Sequence, residues 1–254
     1  MFKFTYAGGT VIGEKHIQNG TVCEDANSVY QDDEILIIVI ADGHGSDKYE
    51  YSNIGSQLAC DLLVKILKEN STSDKLKEKL KSDLIDTFIT TWEEECLNFY
   101  NQSNQPRVSK HEAIEKFGST CLFVMLMDGK MISGKIGDGN VFLVSSRIDY
   151  PFGEDYEHSN ITKSLISDDA SDDFEIIELE LQRGVIVLST DGHVNSFATK
   201  DVFENHLNML SSLVVRDGVE PIKNEFYNLL SKISKEGCGD DISMFVVNVE
   251  VVQC

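Results

Sequence analysis

The chain has 254 residues, and its hydrophobic content of 41% is enough for a substantial core, which excludes a disordered chain. Its 43 acidic residues outnumber its 22 basic ones, and the resulting net charge of −21 argues against partners such as nucleic acid or an anionic membrane surface. No apolar run approaches the roughly 18 residues that a membrane span requires.

Cysteine usage and the first residues bear on location. The six cysteines include no CxxC pair and no cysteine/histidine cluster with zinc-ligand spacing, which predicts free thiols in a reducing compartment. The opening segment MFKFTYAGGT lacks the basic-then-apolar pattern of a signal peptide. We therefore expect a cytoplasmic protein.

The first half of the chain predicts three strands followed by helices. The strand patterns cover residues 2–7, 27–30 and 35–41. Two stripes of apolar residues at four-residue spacing come next, and such stripes are typical of helices with one buried face. Their members are Ile54, Leu58, Leu62 and Ile66, and then Leu76, Leu80, Leu84, Phe88 and Trp92. Residues 101–111 are polar, contain a proline, and predict a loop.

The second half predicts mostly strands. Three come in succession at residues 121–127, 130–136 and 140–145, joined by Asp-Gly and Gly-Asp-Gly turns. Residues 149–173 are acidic and predict an irregular, mobile segment. Further strands are expected at 174–181, 185–189 and 242–251, and short helices near 200–210 and 221–234, the second with proline in its first turn.

This order of elements indicates the fold class. Antiparallel blocks of strands interrupted by helix pairs are typical of an α+β fold rather than an alternating α/β fold. No boundary divides the chain, so we expect residues 1–254 to form a single domain.

Two apolar strands each end in Asp-Gly-His, at residues 42–44 and 191–193. A strand delivers such a carboxylate to one rim of a sheet, and glycine lets its own carbonyl approach a ligand closely. One Asp-Gly alone is more often an ordinary turn. However, Glu24-Asp25, Asp138 and Asp240-Asp241 also lie beside apolar strands, so five acidic clusters could gather at one rim.

Such a gathering would have a chemical consequence. Uncompensated carboxylates repel one another, so either the clusters diverge or cations bind among them. Carboxylate and carbonyl oxygens are hard ligands that suit Mg²⁺ or Mn²⁺ rather than zinc. The spacing beside strand ends favours bound cations.

Five sequence blocks resemble, in the same order, those of the metal-dependent serine/threonine protein phosphatases of type 2C, the PPM family. They are CEDA at 23–26, ADGHG at 41–45, GST at 118–120 with IGDGN at 136–140, LSTDG at 188–192 and GDDIS at 239–243. CEDA and GDDIS resemble the corresponding blocks of a smaller bacterial subgroup of the family. The resemblance implies a four-layer α-β-β-α sandwich, with two antiparallel sheets flanked by helix pairs.

The resemblance also implies two Mn²⁺ or Mg²⁺ ions per chain, in a cleft at one end of the sandwich. Asp42 would bridge both ions, and the carbonyl of Gly43 would bind one of them. Asp191 and Asp240 would hold the other ion. Asp138 matches the aspartate that holds a third, weaker ion in the family.

Four more residues receive roles from the resemblance. Glu24 and Asp25 would act as ligands or order the metal-bound waters. His44 matches a histidine proposed as the general acid. His193 falls where the family usually has an apolar residue, so we prefer a structural role, or a role in supporting the ligands, over a catalytic one.

The implied activity is hydrolysis of phosphoserine and phosphothreonine on proteins by a metal-activated water. We expect a monomer whose partner is a phosphoprotein substrate, with no nucleic acid and no membrane. The main alternative is a catalytically weak relative that binds phosphoproteins or regulates a partner. A different two-metal hydrolase, such as a nuclease, fits the charge poorly, and a purely structural acidic domain would leave the carboxylates unexplained.

The chain departs from the family at three places. Many relatives carry a phosphate-binding arginine shortly before the acidic pair, whereas this chain reads HIQNGTVCEDA. His16 could partly replace that arginine as a donor when protonated, or it could be a histidine with no role. The usual Gly-Asp-Ser-Arg is GDGN here, and the frequent Asp-Asn near the C-terminus is Asp240-Asp241. These departures bear on substrate affinity and on the third ion.

Overall fold

The computed structural model describes residues 2–73, 75–153 and 163–251. Part of the segment predicted to be mobile, residues 154–162, lies outside the described residues, as does Cys254. Within the described ranges the strands form two five-stranded sheets, and all strand pairs in them are antiparallel.

The two sheets hold strands from both halves of the chain. In spatial order, the first sheet consists of β1 (Phe2–Val11), β10 (Ile242–Val251), β9 (Gly184–Ser189), β6 (Asn140–Val144) and β7 (Ile148–Asp149). The second sheet consists of β2 (Ala26–Gln31), β3 (Leu36–Ala41), β4 (Cys121–Met127), β5 (Lys130–Ile136) and β8 (Glu175–Glu180).

Helices cover the outer faces of the sheets. In chain order they are α1 (Glu14–Asn19), α2 (Ser52–Asn70), α3 (Leu76–Lys79), α4 (Ile85–Gln102), α5 (Lys110–Glu115), α6 (Ala170–Asp173), α7 (Asp191–Asn195), α8 (Lys200–Asp217), α9 (Glu220–Lys223) and α10 (Phe226–Glu236). A π-helical turn, Leu80–Leu84, joins α3 to α4.

Strand β3 shows how the layers are built. Its six residues are all buried, because alternate side chains enter different cores. Ile37 and Val39 pack under α2 and α4, whereas Ile38 and Ile40 meet side chains of β9 and β10 between the sheets. A third core lies between the first sheet and helices α8 and α10. This arrangement confirms the predicted four-layer α-β-β-α sandwich.

Several predicted boundaries were wrong because tertiary contacts extend or divide the elements. β1 runs on to Val11, since Gly8 leaves room for the ring of Phe245 on β10. The predicted loop at 101–111 is shorter, because α5 begins after a capping box formed by Ser109 and Glu112. The helix predicted near 200–210 continues to Asp217, and residues 221–234 form parts of two helices instead of one.

The other predicted patterns fall on helices and strands as expected. The stripe that begins at Ile54 lies on α2, but the deepest face of that helix is the neighbouring one, which contains Ala59, Cys60 and Leu63. The cysteines within the described residues have free thiols, as predicted. None of the helices in the described residues is long and apolar enough to cross a membrane.

Candidate functional site

The acidic clusters converge because the strand ends that carry them are neighbours. Ala26 pairs with Ala41, which places the preceding Asp25 beside the following Asp42. Asn140 pairs with Ser189, so the turn that holds Asp138 adjoins the end of β9. The chain enters β10 directly from Asp240-Asp241. The predicted gathering at one rim is therefore present in the structure.

A cleft of about 210 Å³ opens at this rim. Within the described residues its walls are formed by His16, Glu24, Asp42, Gly43, His44, Gly45, Thr120, Asp138, Asp191, Asp240 and Asp241. Most of the ionisable side chains in this set are carboxylates, and none is a lysine or an arginine. The missing phosphate-binding arginine is thus not replaced by another strong cation among these residues.

Three carboxylates form the centre of the cleft. One oxygen from each of Asp42, Asp138 and Asp191 lies within 4.8 Å of the others. Burial, together with the charges of Asp25 and Asp191, raises the pKa of Asp42 well above its usual range. Burial and the charge of Asp138 raise the pKa of Asp191 to about 6. These hard oxygen donors, crowded at a cost in repulsion, fit a divalent cation such as Mn²⁺ or Mg²⁺.

The glycines of the two Asp-Gly pairs allow backbones to approach closely. A Cβ at Gly43 would lie 2.6 Å from the carbonyl oxygen of Glu24, and a Cβ at Gly192 would overlap the carbonyl oxygen of Asp241. Each glycine therefore packs against the backbone of another acidic pair. This explains why glycine follows both Asp42 and Asp191.

The first acidic pair divides between the cleft and its floor. The Oε1 atom of Glu24 accepts a hydrogen bond of 2.9 Å from the Ser52 hydroxyl at the start of α2. Burial raises the pKa of Glu24. Asp25 lies beneath the cleft, 8% exposed, and accepts a hydrogen bond of 2.8 Å from Thr190. Burial and the charge of Asp241 raise its pKa.

His44 stands on the wall next to these carboxylates. The Ser164 hydroxyl donates to the carbonyl oxygen of Ser119 over 3.0 Å, so its oxygen is left to accept from Nε2 of His44, which is 2.8 Å away. The ring of Tyr49 packs against the imidazole with centroids 4.7 Å apart. Burial lowers the pKa of His44.

The last acidic pair differs in exposure. Asp240 is exposed on the cleft wall, whereas Asp241 is only 3% exposed. Oδ1 of Asp241 lies 2.9 Å from Nδ1 of His16, and the other imidazole nitrogen of His16 is 3.5 Å from Oε2 of Glu24. The structure therefore places His16 on the cleft wall beside Glu24.

His193 lies outside the cleft, although it follows Asp191-Gly192. It is fully buried among the rings of Phe197, Phe203 and His206, whose centroids are 5.3 to 5.5 Å from its own. Burial and His206 lower its pKa to about 3, so this imidazole is neutral. Its position fits the structural role that the sequence suggested.

Hydroxyl side chains that the sequence did not single out support the acidic ones. Thr120 accepts a hydrogen bond of 3.0 Å from the backbone of Asp42, and Ser164 supports His44. Ser52 and Thr190 donate to Glu24 and Asp25. Thr120 and Thr190 lie in the GST and LSTDG blocks, so the sequence offered a signal for them. Ser52 and Ser164 lie outside the five blocks.

Comparison with known proteins identifies the family and the fold. The sequence model of protein phosphatase 2C matches residues 12–230. The serine/threonine phosphatase Stp1 from Staphylococcus aureus has a similar structure, with a TM-score of 0.68, 15% identity, and coverage of 99% of this chain and 96% of that one. A comparison with curated proteins finds no match.

Two further solved structures have the same fold. The catalytic domain of the serine/threonine phosphatase PstP, in complex with two manganese ions, has a TM-score of 0.64, 15% identity, and coverage of 99% of this chain and 100% of that one. PppA of Pseudomonas aeruginosa has a TM-score of 0.61, 15% identity, and coverage of 97% and 98%. Because the family model matches residues 12–230, which is most of the chain, the chain belongs to the protein phosphatase 2C family.

Proposed function

We propose that this chain hydrolyses phosphoserine and phosphothreonine on proteins with the help of divalent metal ions. The observation that carries the proposal is the group of three carboxylates, Asp42, Asp138 and Asp191, at the centre of the cleft. Family membership supports both the phosphatase activity and the dependence on a divalent metal. We further propose that residues 1–254 act as one domain, as a monomer, in the cytoplasm.

Two Mn²⁺ or Mg²⁺ ions per chain are the proposed cofactors, and the PstP structure with two manganese ions is consistent with that number. Asp42 would bridge the ions, with the carbonyl of Gly43 on one and Asp191 and Asp240 on the other. When bound, such ions neutralise phosphoryl oxygens and lower the pKa of a coordinated water. The proposed third, weaker ion would share Asp138, which lies with Asp42 and Asp191 rather than apart from them.

The surrounding residues prepare the cleft for this chemistry. Glu24 and Asp25 would act as further ligands or orient water, and Ser52 and Thr190 fix their carboxylates by donating to them. A serine alkoxide is a poor leaving group, so a proton donor accelerates its departure. His44 is the proposed donor, since it is the imidazole that flanks two ligand positions on the cleft wall.

His16 is the proposed phosphate-binding side chain. It lies on the cleft wall, with Nδ1 2.9 Å from Oδ1 of Asp241 and Nε2 3.5 Å from Oε2 of Glu24. A catalytically weak, regulatory relative is the alternative. Such a protein would have lost core carboxylates, whereas every residue assigned to the two main ions is present and lies at the cleft or directly beneath it.

The test is phosphate release from a phosphoserine peptide, with Mn²⁺ and with a chelator. We expect release that requires Mn²⁺ and that Asp42→Asn abolishes while the protein stays folded. Asp33→Asn, in the exposed turn between β2 and β3, is the matched control and should retain full turnover. Near-normal turnover of Asp42→Asn at saturating Mn²⁺ would refute the proposed site.

A further inference from the structure

Asp241 accepts hydrogen bonds from two segments of the chain, residues 13–16 and Glu24. Its Oδ1 accepts from the backbone N–H of Gly13 over 2.6 Å and from Nδ1 of His16 over 2.9 Å. Its Oδ2 accepts from the backbone N–H of Glu24 over 2.6 Å. Both carboxylate oxygens are thus engaged by protein donors in an almost fully buried position.

This set of donors requires an aspartate. A carboxylate has two accepting oxygens, whereas an asparagine side chain has one accepting oxygen and an NH₂ group that can only donate. An asparagine at 241 could satisfy Gly13 and His16, but its NH₂ group would then face the N–H of Glu24. The departure from the frequent Asp-Asn pair is therefore matched by the donors that surround this position.

The bonds also have a consequence for the cleft. Because a carboxylate only accepts, Nδ1 of His16 carries a proton, and the Nε2 edge of the ring is turned towards Glu24, 3.5 Å away. The same carboxylate holds the backbone of Glu24 and the residue that precedes α1. One buried side chain thereby fixes two cleft residues that are eight positions apart in the chain.

We propose that Asp241 is a positioning residue that holds His16 and Glu24 in their places on the cleft wall. It acts through them and does not itself bind metal, in contrast to the adjacent Asp240. This inference rests on the proposed function for the role of His16 in substrate binding. Its structural part, the orientation of the imidazole with Nδ1 towards Asp241, is independent of any activity.

The first experiment measures which ring nitrogen of His16 carries the proton. Long-range ¹H–¹⁵N NMR on the full chain with Mg²⁺ distinguishes the two ring nitrogens, and His16→Ala assigns the signal among the six histidines. We expect a protonated Nδ1 in the wild type and loss of that fixed state in Asp241→Ala, which removes the oxygen that accepts from His16. A neutral wild-type ring protonated only at Nε2 would overturn the proposal, even if the variant failed to fold or the chain proved to have no phosphatase activity.

The second experiment measures kcat and KM for a phosphoserine peptide. We expect Asp241→Asn to lower kcat/KM by about 10- to 100-fold, mainly through KM, as is usual for residues that orient a site. In a His16→Ala background the same substitution should cost much less. Equal losses in both backgrounds, or no loss in either, would overturn the proposal.

Asp32 offers a matched control. It also accepts two backbone N–H groups, from Glu34 and Ile35, and one side-chain donor, the Tyr30 hydroxyl. It lies in the turn between β2 and β3, at the opposite end of these strands from the cleft. Asp32→Asn should leave both the KM and the His16 signal unchanged.

Discussion

Asp191 is placed where its charge is costly unless a cation is bound. Its pKa in the folded chain, about 6, lies above the ordinary carboxyl value of 3.8. The unfolded chain therefore loses this proton first as pH rises. In the metal-free protein the ionisation of Asp191 costs no stability below about pH 4, and its cost is complete above about pH 6.

The first prediction follows from this loss of stability with rising pH. With a chelator at pH 7.5, Asp191→Asn should stabilise the protein against urea by about 1–2 kcal/mol, because a repelled buried charge is removed. The gain should shrink at pH 5. With Mn²⁺ the wild type should instead be more stable than the variant, since only the wild type binds the ion fully. A variant less stable than the wild type in chelator would contradict the account.

The second prediction concerns His44. If it donates the proton to the leaving group, His44→Ala should slow hydrolysis of a phosphoserine peptide by about 10²–10⁴-fold. Nitrophenyl phosphate should lose much less, because nitrophenolate leaves without a proton. Parallel kcat measurements on the two substrates decide the matter, and equal losses would point to damage at the metal site.

The third prediction concerns phosphate binding. His16→Ala should raise the KM for a phosphopeptide about ten-fold, as expected for loss of a hydrogen bond to a charged group. Restoring an arginine at Gly20, near where relatives carry it, should lower the KM. Gly20 ends α1 with a φ of 69°, so a side chain there carries a strain of about 1 kcal/mol, although the surrounding space is open.

Gly20→Asn controls for that strain, since asparagine adopts the left-handed region readily. The informative comparison is the KM of Gly20→Arg against the KM of Gly20→Asn. If neither His16→Ala nor Gly20→Arg changes the KM in a folded protein, phosphate is held by a different group.

At the scale of elements, α2 carries the supports of Glu24 on a closely packed face. Ser52 and Ser56 donate to Glu24, and Gly55 lies between them against the backbone of Phe117. The indole N–H of Trp92 on α4 donates to the carbonyl oxygen of Gly55 over 2.9 Å. The absence of a side chain at Gly55 thus allows α2 to pack closely against its neighbours.

The fourth prediction tests this contact. A Cβ at Gly55 would overlap the carbonyl oxygen of Phe117, which is backbone and cannot rotate away. Gly55→Ala should therefore destabilise the protein by about 1–3 kcal/mol, despite the better helix propensity of alanine. Gln57→Ala, exposed on the same helix, should stay within about 0.5 kcal/mol. Similar urea midpoints for both variants would show that the backbone yields at this position.

The elements also show what a sequence can reveal. The strands of the cores were predictable because apolar runs such as β3 and β10 repeat every second residue into each core. Helix α1 was missed because none of its residues is buried and it therefore has no apolar stripe. Helix α5 was missed although its capping box was readable in the sequence as Ser109 and Glu112.

The candidate site divides in the same way. Its carboxylates could be predicted because each one adjoins a strand end. The role of Asp241 could not, since two of its donors, Gly13 and Glu24, lie 228 and 217 residues away in the chain. Such bonds depend on how the residue before β10 meets the segments that precede α1 and β2, which no local pattern records.

At the scale of the whole molecule, charge sets the approach of substrates. The chain carries a net charge of −21, and its cleft wall offers carboxylates without lysine or arginine in the described residues. Bound divalent ions would offset only part of this charge. The surrounding negative potential therefore disfavours an acidic substrate and attracts a basic one.

The fifth prediction compares two phosphoserine peptides that differ only in their flanking residues, arginines in one and glutamates in the other. At about 50 mM salt, kcat/KM should be at least ten-fold higher for the basic peptide. At about 500 mM salt the ratio should approach one, because screening then limits electrostatic attraction to a few ångströms. A preference that survives high salt would indicate a specific pocket near the cleft, and the absence of any preference would show that the net charge does not steer substrates.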